Sequence, residues 1–395
     1  MSRITLVVNQ FETGSETFLR RLATSLSEEG HRVTQYSLLA ARTAQQSQPG
    51  LAQALPAAQS AKFPLAAARL AARSTRATTT AISRATSQFG RTPRAAKTAL
   101  QLAPLLATEP DVVHVSFSGI AVALADALPL LDPKTRVIVS CRGSGELVRP
   151  VLYPEQVEAL RTVLQGCDCV HAVSEAVSTA LVNMGVSQEL ISVIRPGVDV
   201  EEFSRTSPYL PISTDTPVRI ISVGRLHWVK DIATTLSAFA ELRSRGFSAE
   251  LTIVGDGEER EALQFRAAVL GIQDTVTFTG ALSPKQVREQ LEQSQLFVLS
   301  SLSEGTSNAA LEAMALQIPV IVTGVGGMVE VIENGVNGWV VPPSNPAKLA
   351  QSMISSVTNS SLAEELGRAG RASLDKGLTL ELQRTAIRQM YRELL

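Results

Sequence analysis

The chain has 395 residues, 45% of them hydrophobic and 18% charged, with a formal net charge of −1. That length exceeds one compact core and suits two domains, and the composition excludes a disordered or fibrous chain. Near-neutrality gives no global field of the kind that draws a nucleic acid, so no nucleic-acid partner is expected.

The opening strand, Ile4–Val8, is short and followed by Asn9 and Gln10, without the longer apolar region of a signal peptide. No window of about 18 uncharged apolar residues follows. A cytoplasmic protein is expected, either free or peripheral on the inner face of a membrane. Further strand candidates are Arg32–Tyr36, Val112–Val115, Val137–Ser140, Cys169–Val173, Arg219–Val223, Glu250–Val254, Val276–Thr279, Leu296–Leu299 and Pro319–Val322. Helical patterns lie between them at Phe18–Glu28, Thr234–Arg243, Glu258–Leu270 and Pro284–Gln293. Alternation of strand and helix implies parallel sheets covered on both faces. The series runs twice, parted near residues 204–217 by Pro208, Pro211 and Pro217 among Ser and Thr. The expected fold is therefore α/β, two Rossmann-like domains facing across a cleft. Residues 1–205 are expected to form the first domain and 206–378 the second. Residues 379–395 form a closing helix, with Leu382, Ile387, Met390, Tyr391 and Leu394 at helical spacing.

Residues 41–107 break the rhythm. They hold nine cations (Arg42, Lys62, Arg69, Arg73, Arg76, Arg84, Arg91, Arg94 and Lys97) and no Asp or Glu. Two solvated surface helices account for this; so does a basic face for anionic lipid or a pyrophosphate-linked acceptor. Cys141, Cys167 and Cys169 are an odd number without framework spacing, which fits a reducing compartment. Cys167-x-Cys169 is too tight for the usual zinc hook, so buried thiols are the plainer reading.

The densest chemical signal is Ser303-Glu304-Gly305-Thr306-Ser307-Asn308-Ala309-Ala310-Leu311-Glu312, after the strand Leu296–Leu299. Ser307 or Asn308 can cap a helix running through Leu316. Gly305 allows a ligand close to the backbone. Free N–H groups and the positive end of the helix dipole then make a phosphate site. Glu312 sits about 8 Å along the helix axis, where a carboxylate can accept both hydroxyls of a ribose, or simply face water. Glu304, beside a phosphate site, makes sense pointing at sugar hydroxyls or at a carbon that gains positive charge; alone, it reads equally as a solvated loop residue.

A second cluster, Gly224-Arg225-Leu226-His227-Trp228-Val229-Lys230, follows the strand Arg219–Val223. Arg225 and Lys230 place two cations where a departing diphosphate needs neutralising. With no Asp-x-Asp pair in view, a metal-free mechanism fits and no cofactor is expected. A third, Phe11-Glu12-Thr13-Gly14-Ser15-Glu16-Thr17-Phe18, permits a tight phosphate-cradling loop at Gly14. Gly324-x-Gly326-Gly327 lacks the spacing of a dinucleotide fingerprint. His114 ends a strand, where it either faces an acceptor or packs.

These residues resemble a family. Val223-Gly224-Arg225-Leu226…Lys230, Ile253-Val254-Gly255-Asp256-Gly257, Phe278-Thr279-Gly280, Glu304-Gly305…Glu312-Ala313-Met314-Ala315 and Gly335-Val336-Asn337-Gly338 recur in the order of the family 4 retaining glycosyltransferases of GT-B fold. Asp168–Ser174 and Ile194-Arg195-Pro196-Gly197-Val198-Asp199 resemble the end of that family's N-terminal domain, and Gly14–Phe18 is similar to exopolysaccharide-type members. The resemblance implies that Arg225 and Lys230 bind the donor diphosphate and that Glu312 holds the ribose. It implies that Glu304 meets the donor sugar near the reacting carbon. The backbone of Gly305, Thr306, Ser307 and Asn308 would bind phosphate or sugar oxygens, and the turn from Gly280 to Leu282 would lie against the base. Gly14 would meet the phosphates from the other domain. The implied activity is transfer of a sugar, with retained anomeric configuration, from a UDP- or GDP-sugar to a glycan or lipid-linked glycan in cell-surface polysaccharide synthesis. One departure is Arg142-Gly143 where many members carry His-Gly. Arginine supplies a donor-sugar contact but cannot shuttle a proton. A non-catalytic nucleotide-sugar-binding scaffold subunit and a nucleotide-sugar epimerase of the same architecture are the alternatives. The first is disfavoured by the presence of Arg225, Lys230, Glu304 and Glu312, the second by their order.

Overall fold

The computed structural model describes residues 1–8, 17–37, 52–54, 74–213 and 216–395. They fall into two compact units. The first takes its members from residues 1–173, 177–194 and 386–395, and the second comprises 174–176 and 195–385. The chain thus passes into the second unit ahead of the proline-bearing stretch at 204–217. That stretch is held within the second unit: Arg205 donates to the carbonyls of Leu316 and Glu292, and the Tyr209 hydroxyl to that of Gln295.

The first unit is built on β1 (Arg3–Val8), β2 (Arg32–Ser37), β3 (Ala52–Ala54), β4 (Val112–Val115), β5 (Arg136–Cys141), β6 (Cys169–Ala172) and β7 (Ile191–Val193). Among the described residues they form one sheet in the order β3-β2-β1-β4-β5-β6-β7, parallel throughout. Its strands are apolar runs because helices bury both faces, as parallel sheets require. The second unit carries β8 (Val218–Val223), β9 (Ala249–Val254), β10 (Val276–Gly280), β11 (Leu296–Leu299), β12 (Val320–Thr323) and β13 (Trp339–Val341). Their order is β10-β9-β8-β11-β12-β13, again parallel. The α/β class read from the alternation is present, and the strand order of each sheet is Rossmann-like. In each sheet the order reverses beside the unit's first strand, between β1 and β4 and between β8 and β11. Ligands of such sheets bind at that reversal, beyond the carboxyl ends of the strands.

The acid-free segment contributes two helices of 15 residues each to the first unit, Thr75–Phe89 and Pro93–Ala107, capped by the side chains of Ser74 and Thr92. Ala77, Ala81, Ala85, Ala95 and Ala99 face inward. Of its cations, Arg94 forms a two-pronged ion pair with Asp126 and Arg84 donates to the Leu130 carbonyl. Arg76, Arg91 and Lys97 are exposed, and Arg42, Lys62, Arg69 and Arg73 lie outside the described residues. Cys141, Cys167 and Cys169 are buried free thiols. No helix among the described residues is long and apolar enough to cross a membrane.

The helix Leu380–Leu394 places its last turns in the first unit, where Tyr391 enters a buried polar chain. His171 Nε2 lies 3.0 Å from the Ile194 carbonyl, which only accepts, so Nε2 carries the proton. His171 Nδ1 must then accept from the Ser140 hydroxyl at 2.9 Å. Ser140 Oγ in turn accepts from His114 Nε2 at 2.8 Å, and His114 Nδ1 accepts from the Tyr391 hydroxyl at 2.7 Å. One carbonyl thereby fixes two tautomers and two hydroxyl directions, each group satisfied. Burial, reinforced by the Arg142 guanidinium, holds His171 down to about 4, and burial, His171 and Arg142 hold His114 well below the ordinary histidine range.

Two outcomes are expected. Tyr391→Phe leaves His114 Nδ1 without its donor and lowers the unfolding free energy by about 1–3 kcal/mol in urea titrations. The unfolded chain binds protons at histidine from about pH 6.5, whereas folded His171 does so only near 4. Stability present at neutral pH is therefore lost as the pH falls through that window. A urea midpoint unchanged between pH 7.5 and pH 5 would contradict this.

Candidate active site

In the second unit the strand-order reversal brings the two densest sequence clusters together. The loop after β8 carries Gly224, Arg225 and Lys230, and the loop after β11 carries Glu304 through Asn308. Lys230 Nζ forms an ion pair with Glu304 Oε1 across 74 positions of chain. The Ser301 hydroxyl donates to the same oxygen at 2.6 Å. Glu304 is 8% exposed and is no solvated loop residue. A carboxylate this buried requires a partner, and here it has a cation and a hydroxyl. Arg225 is exposed, and its guanidinium makes no hydrogen bond or ion pair among the described residues.

The backbone around these side chains is fixed by contacts too close for a Cβ. One on Gly255 would lie 1.9 Å from the Gly224 carbonyl oxygen, and one on Gly257 2.2 Å from that of Leu226. The loop after β9 therefore clamps the loop after β8, with Leu226 N–H donating to the Asp256 carbonyl at 2.9 Å. From the other side, Leu302 N–H donates to the Val229 carbonyl at 2.7 Å. Asp231 closes the Lys230 turn, capping the helix Ile232–Ser244 through Thr234.

Gly327, on the turn after β12, donates its N–H to the Gly305 carbonyl at 2.9 Å, and a Cβ there would fall 2.0 Å from that oxygen. Gly324-x-Gly326-Gly327, which has no dinucleotide spacing, thus supports the segment that holds Glu304. Its placement after a strand next to β11 was the available sequence signal. The helix Asn308–Ala315 is capped by Ser307, whose hydroxyl accepts from Ala310 N–H, so of the two candidate caps Ser307 is the one used. The N–H groups of Asn308 and Ala309 find no acceptor among the described residues. Ser307 N–H points at the Met328 sulfur, 3.3 Å away, and the Thr306 hydroxyl donates to the Gly305 carbonyl. Glu312 is half-buried on this helix. Gly280 ends β10 with its carbonyl accepting from Gly255 N–H at 3.0 Å, and Leu282 packs against the apolar cluster beneath.

The remaining candidates belong to the first unit. Gly14 lies outside the described residues. Arg142 follows β5, its Nε donating to the Ser116 carbonyl at 3.2 Å and its guanidinium 5.9 Å from the Phe117 ring centre. Gly143 has φ of 113°, a backbone that favours glycine, and donates to the buried Glu146 carboxylate at 2.8 Å. Burial pushes the Glu146 carboxyl up, against the lowering effect of Ser118 and Gly143. Sequence reasoning passed over Glu146; three positions beyond Gly143, it reads as an ordinary loop acid. Of the two readings of His114, the packed one describes its surroundings. It is 2% exposed, and both ring nitrogens are committed to Tyr391 and Ser140. Among the described residues no group of His, Cys, Asp or Glu is arranged to hold a metal.

Residues 13–202 match the family model described as Glycosyltransferase Family 4, and residues 211–373 match the one described as Glycosyl transferases group 1. The two together span most of the chain, which belongs to the family 4 glycosyltransferases. Among curated relatives, the amylovoran biosynthesis glycosyltransferase AmsK of Erwinia amylovora is 28% identical over 245 residues, 60% of this chain and 59% of that protein. The putative colanic acid biosynthesis glycosyltransferase WcaL of Escherichia coli K12 is 29% identical over 61% of this chain and 59% of its own length. The matched stretch thus spans about three fifths of these relatives. Among solved structures, sucrose-phosphate synthase from Thermosynechococcus elongatus has a TM-score of 0.78 at 19% identity, covering 100% of this chain and 99% of that one. Anabaena HepE in complex with UDP has a TM-score of 0.76 at 18% identity, with both chains covered in full. The fold is GT-B.

Gly327→Ala is expected to force the β12 turn off Gly305 and to cost about 1–3 kcal/mol. Thermal unfolding monitored by circular dichroism reads this directly, and an unshifted midpoint would mean the contact is not fixed.

Proposed function

We propose that the protein is a retaining, metal-independent glycosyltransferase. It takes a UDP- or GDP-sugar as donor and a glycan or lipid-linked glycan of a cell-surface polysaccharide as acceptor. The observation that carries the reading is the meeting of Lys230 and Glu304 at the strand-order reversal, beside the uncommitted N–H groups of Asn308 and Ala309. A nucleoside diphosphate fits that combination: N–H groups and the helix dipole take a phosphate, while Lys230 and the exposed Arg225 neutralise the diphosphate as it leaves. Glu312, one turn further on, is placed for the ribose hydroxyls. Glu304 reaches the sugar near the anomeric carbon, and the turn at Gly280 and Leu282 borders the base. In the transfer the anomeric carbon–oxygen bond to diphosphate breaks and a bond to the acceptor oxygen forms on the same face. The acceptor proton passes to the departing phosphate oxygen, so no protein nucleophile is required. Lys230 and Arg225 supply the charge a metal ion would otherwise bring. The UDP bound to HepE and the polysaccharide roles in the names of AmsK and WcaL support the donor and acceptor classes.

A thermal-shift panel with UDP, GDP, ADP and CDP, with and without EDTA, tests this. Ligand at about 100 times its dissociation constant adds about 2.7 kcal/mol. One nucleotide should raise the midpoint, EDTA should leave the rise intact, and Glu312→Ala should abolish it. No rise with any nucleotide would remove the basis for this reading.

The exposed Arg76, Arg91 and Lys97 support a second element of the proposal, peripheral attachment to anionic membrane. Co-sedimentation with phosphatidylserine vesicles should weaken as salt is raised. Binding indifferent to salt and lipid charge would count against it.

A further inference from the structure

The ion pair between Lys230 and Glu304 is set by two serines at the end of β11, both 0% exposed. Ser300 Oγ donates to the backbone carbonyls of Lys230 at 3.1 Å and Asp231 at 2.7 Å. Its single proton is committed there, so the Thr235 hydroxyl 2.8 Å away is the donor to Ser300. Ser300 thus holds the main chain that carries the cation. Ser301 holds the carboxylate: its hydroxyl donates to Glu304 Oε1, the same oxygen that receives Lys230. Ser301 is itself pinned from β12, where the Thr323 hydroxyl donates to its carbonyl at 2.5 Å. Both donors converge on Oε1. Oε2 has no hydrogen bond among the described residues, yet it is not sealed from solvent, and the side chain keeps 9% of its surface.

We propose that Ser301 is a positioning residue for donor-sugar recognition: it occupies Glu304 Oε1, so that Oε2 alone is presented to a hydroxyl of the donor sugar. This rests on the proposed function and names the part of the donor that the arrangement recognises. A carboxylate held by Lys230 alone can rotate and exchange its oxygens, since an ammonium is a point charge with rotatable donors. The serine hydroxyl adds direction. It makes the buried side chain an oriented acceptor for one sugar hydroxyl and leaves the diphosphate contacts to Lys230, whose backbone Ser300 fixes independently.

Isothermal titration of wild type, Ser301→Ala and Ser301→Cys with UDP, UDP-glucose, GDP and GDP-mannose tests the division. Cysteine keeps the side-chain shape with a somewhat larger atom and is only a weak donor. For the pair that wild type binds, both variants should hold the diphosphate within about twofold and lose about tenfold in affinity for the sugar nucleotide, the scale of one hydrogen bond to a charged group. Parallel loss of both ligands, or Ser301→Cys indistinguishable from wild type, would overturn the proposal by showing that Ser301 only packs. Wild type that binds neither pair would overturn the proposed function itself, and this inference with it.

Discussion

The second unit turns on one partly buried ion pair. Where the strand order reverses between β8 and β11, successive connections depart to opposite faces and a crevice is left at the strand ends. Lys230 and Glu304 meet there. A carboxylate 8% exposed is tolerated only because a cation and a hydroxyl answer it. Much of the surrounding architecture serves that meeting: glycines press the loop after β9 onto that after β8 and the turn after β12 onto the loop after β11, and two serines register the cation's backbone and the carboxylate separately.

The central architecture was legible because each interior strand is a compact apolar run. Val112–Val115 and Leu296–Leu299 were delimited to the residue, and the other predicted strands begin and end within a residue of their observed bounds. The missed strands are Ala52–Ala54, Ile191–Val193 and Trp339–Val341. Each has three residues and each lies at a sheet edge. An edge strand packs against a single neighbouring strand, so burial imposes on it a shorter apolar signature, one that does not rise above its surroundings.

The site was legible in its charged members and opaque in its supports. Arg225, Lys230, Glu304 and Glu312 announce themselves by type and by position after strands. Ser300, Ser301 and Gly327 do not, because a serine or glycine in a loop is the commonest of observations and only the neighbouring strand reveals what it touches. The same reason left the two readings of His114 open in the sequence. The partners that consume its nitrogens are Ser140 and Tyr391, and Tyr391 stands 277 positions away.

That last separation has a consequence for how the molecule comes into being. The first unit draws residues 386–395 into its core, so its polar chain from Tyr391 to Ile194 cannot close until Tyr391 has been made, after the residues of the second unit. During synthesis the amino-terminal sheet therefore waits for its last helical contacts until residues 195–385 have been translated. The order of completion runs against the order of the chain: the unit begun first cannot be finished before the other has been made.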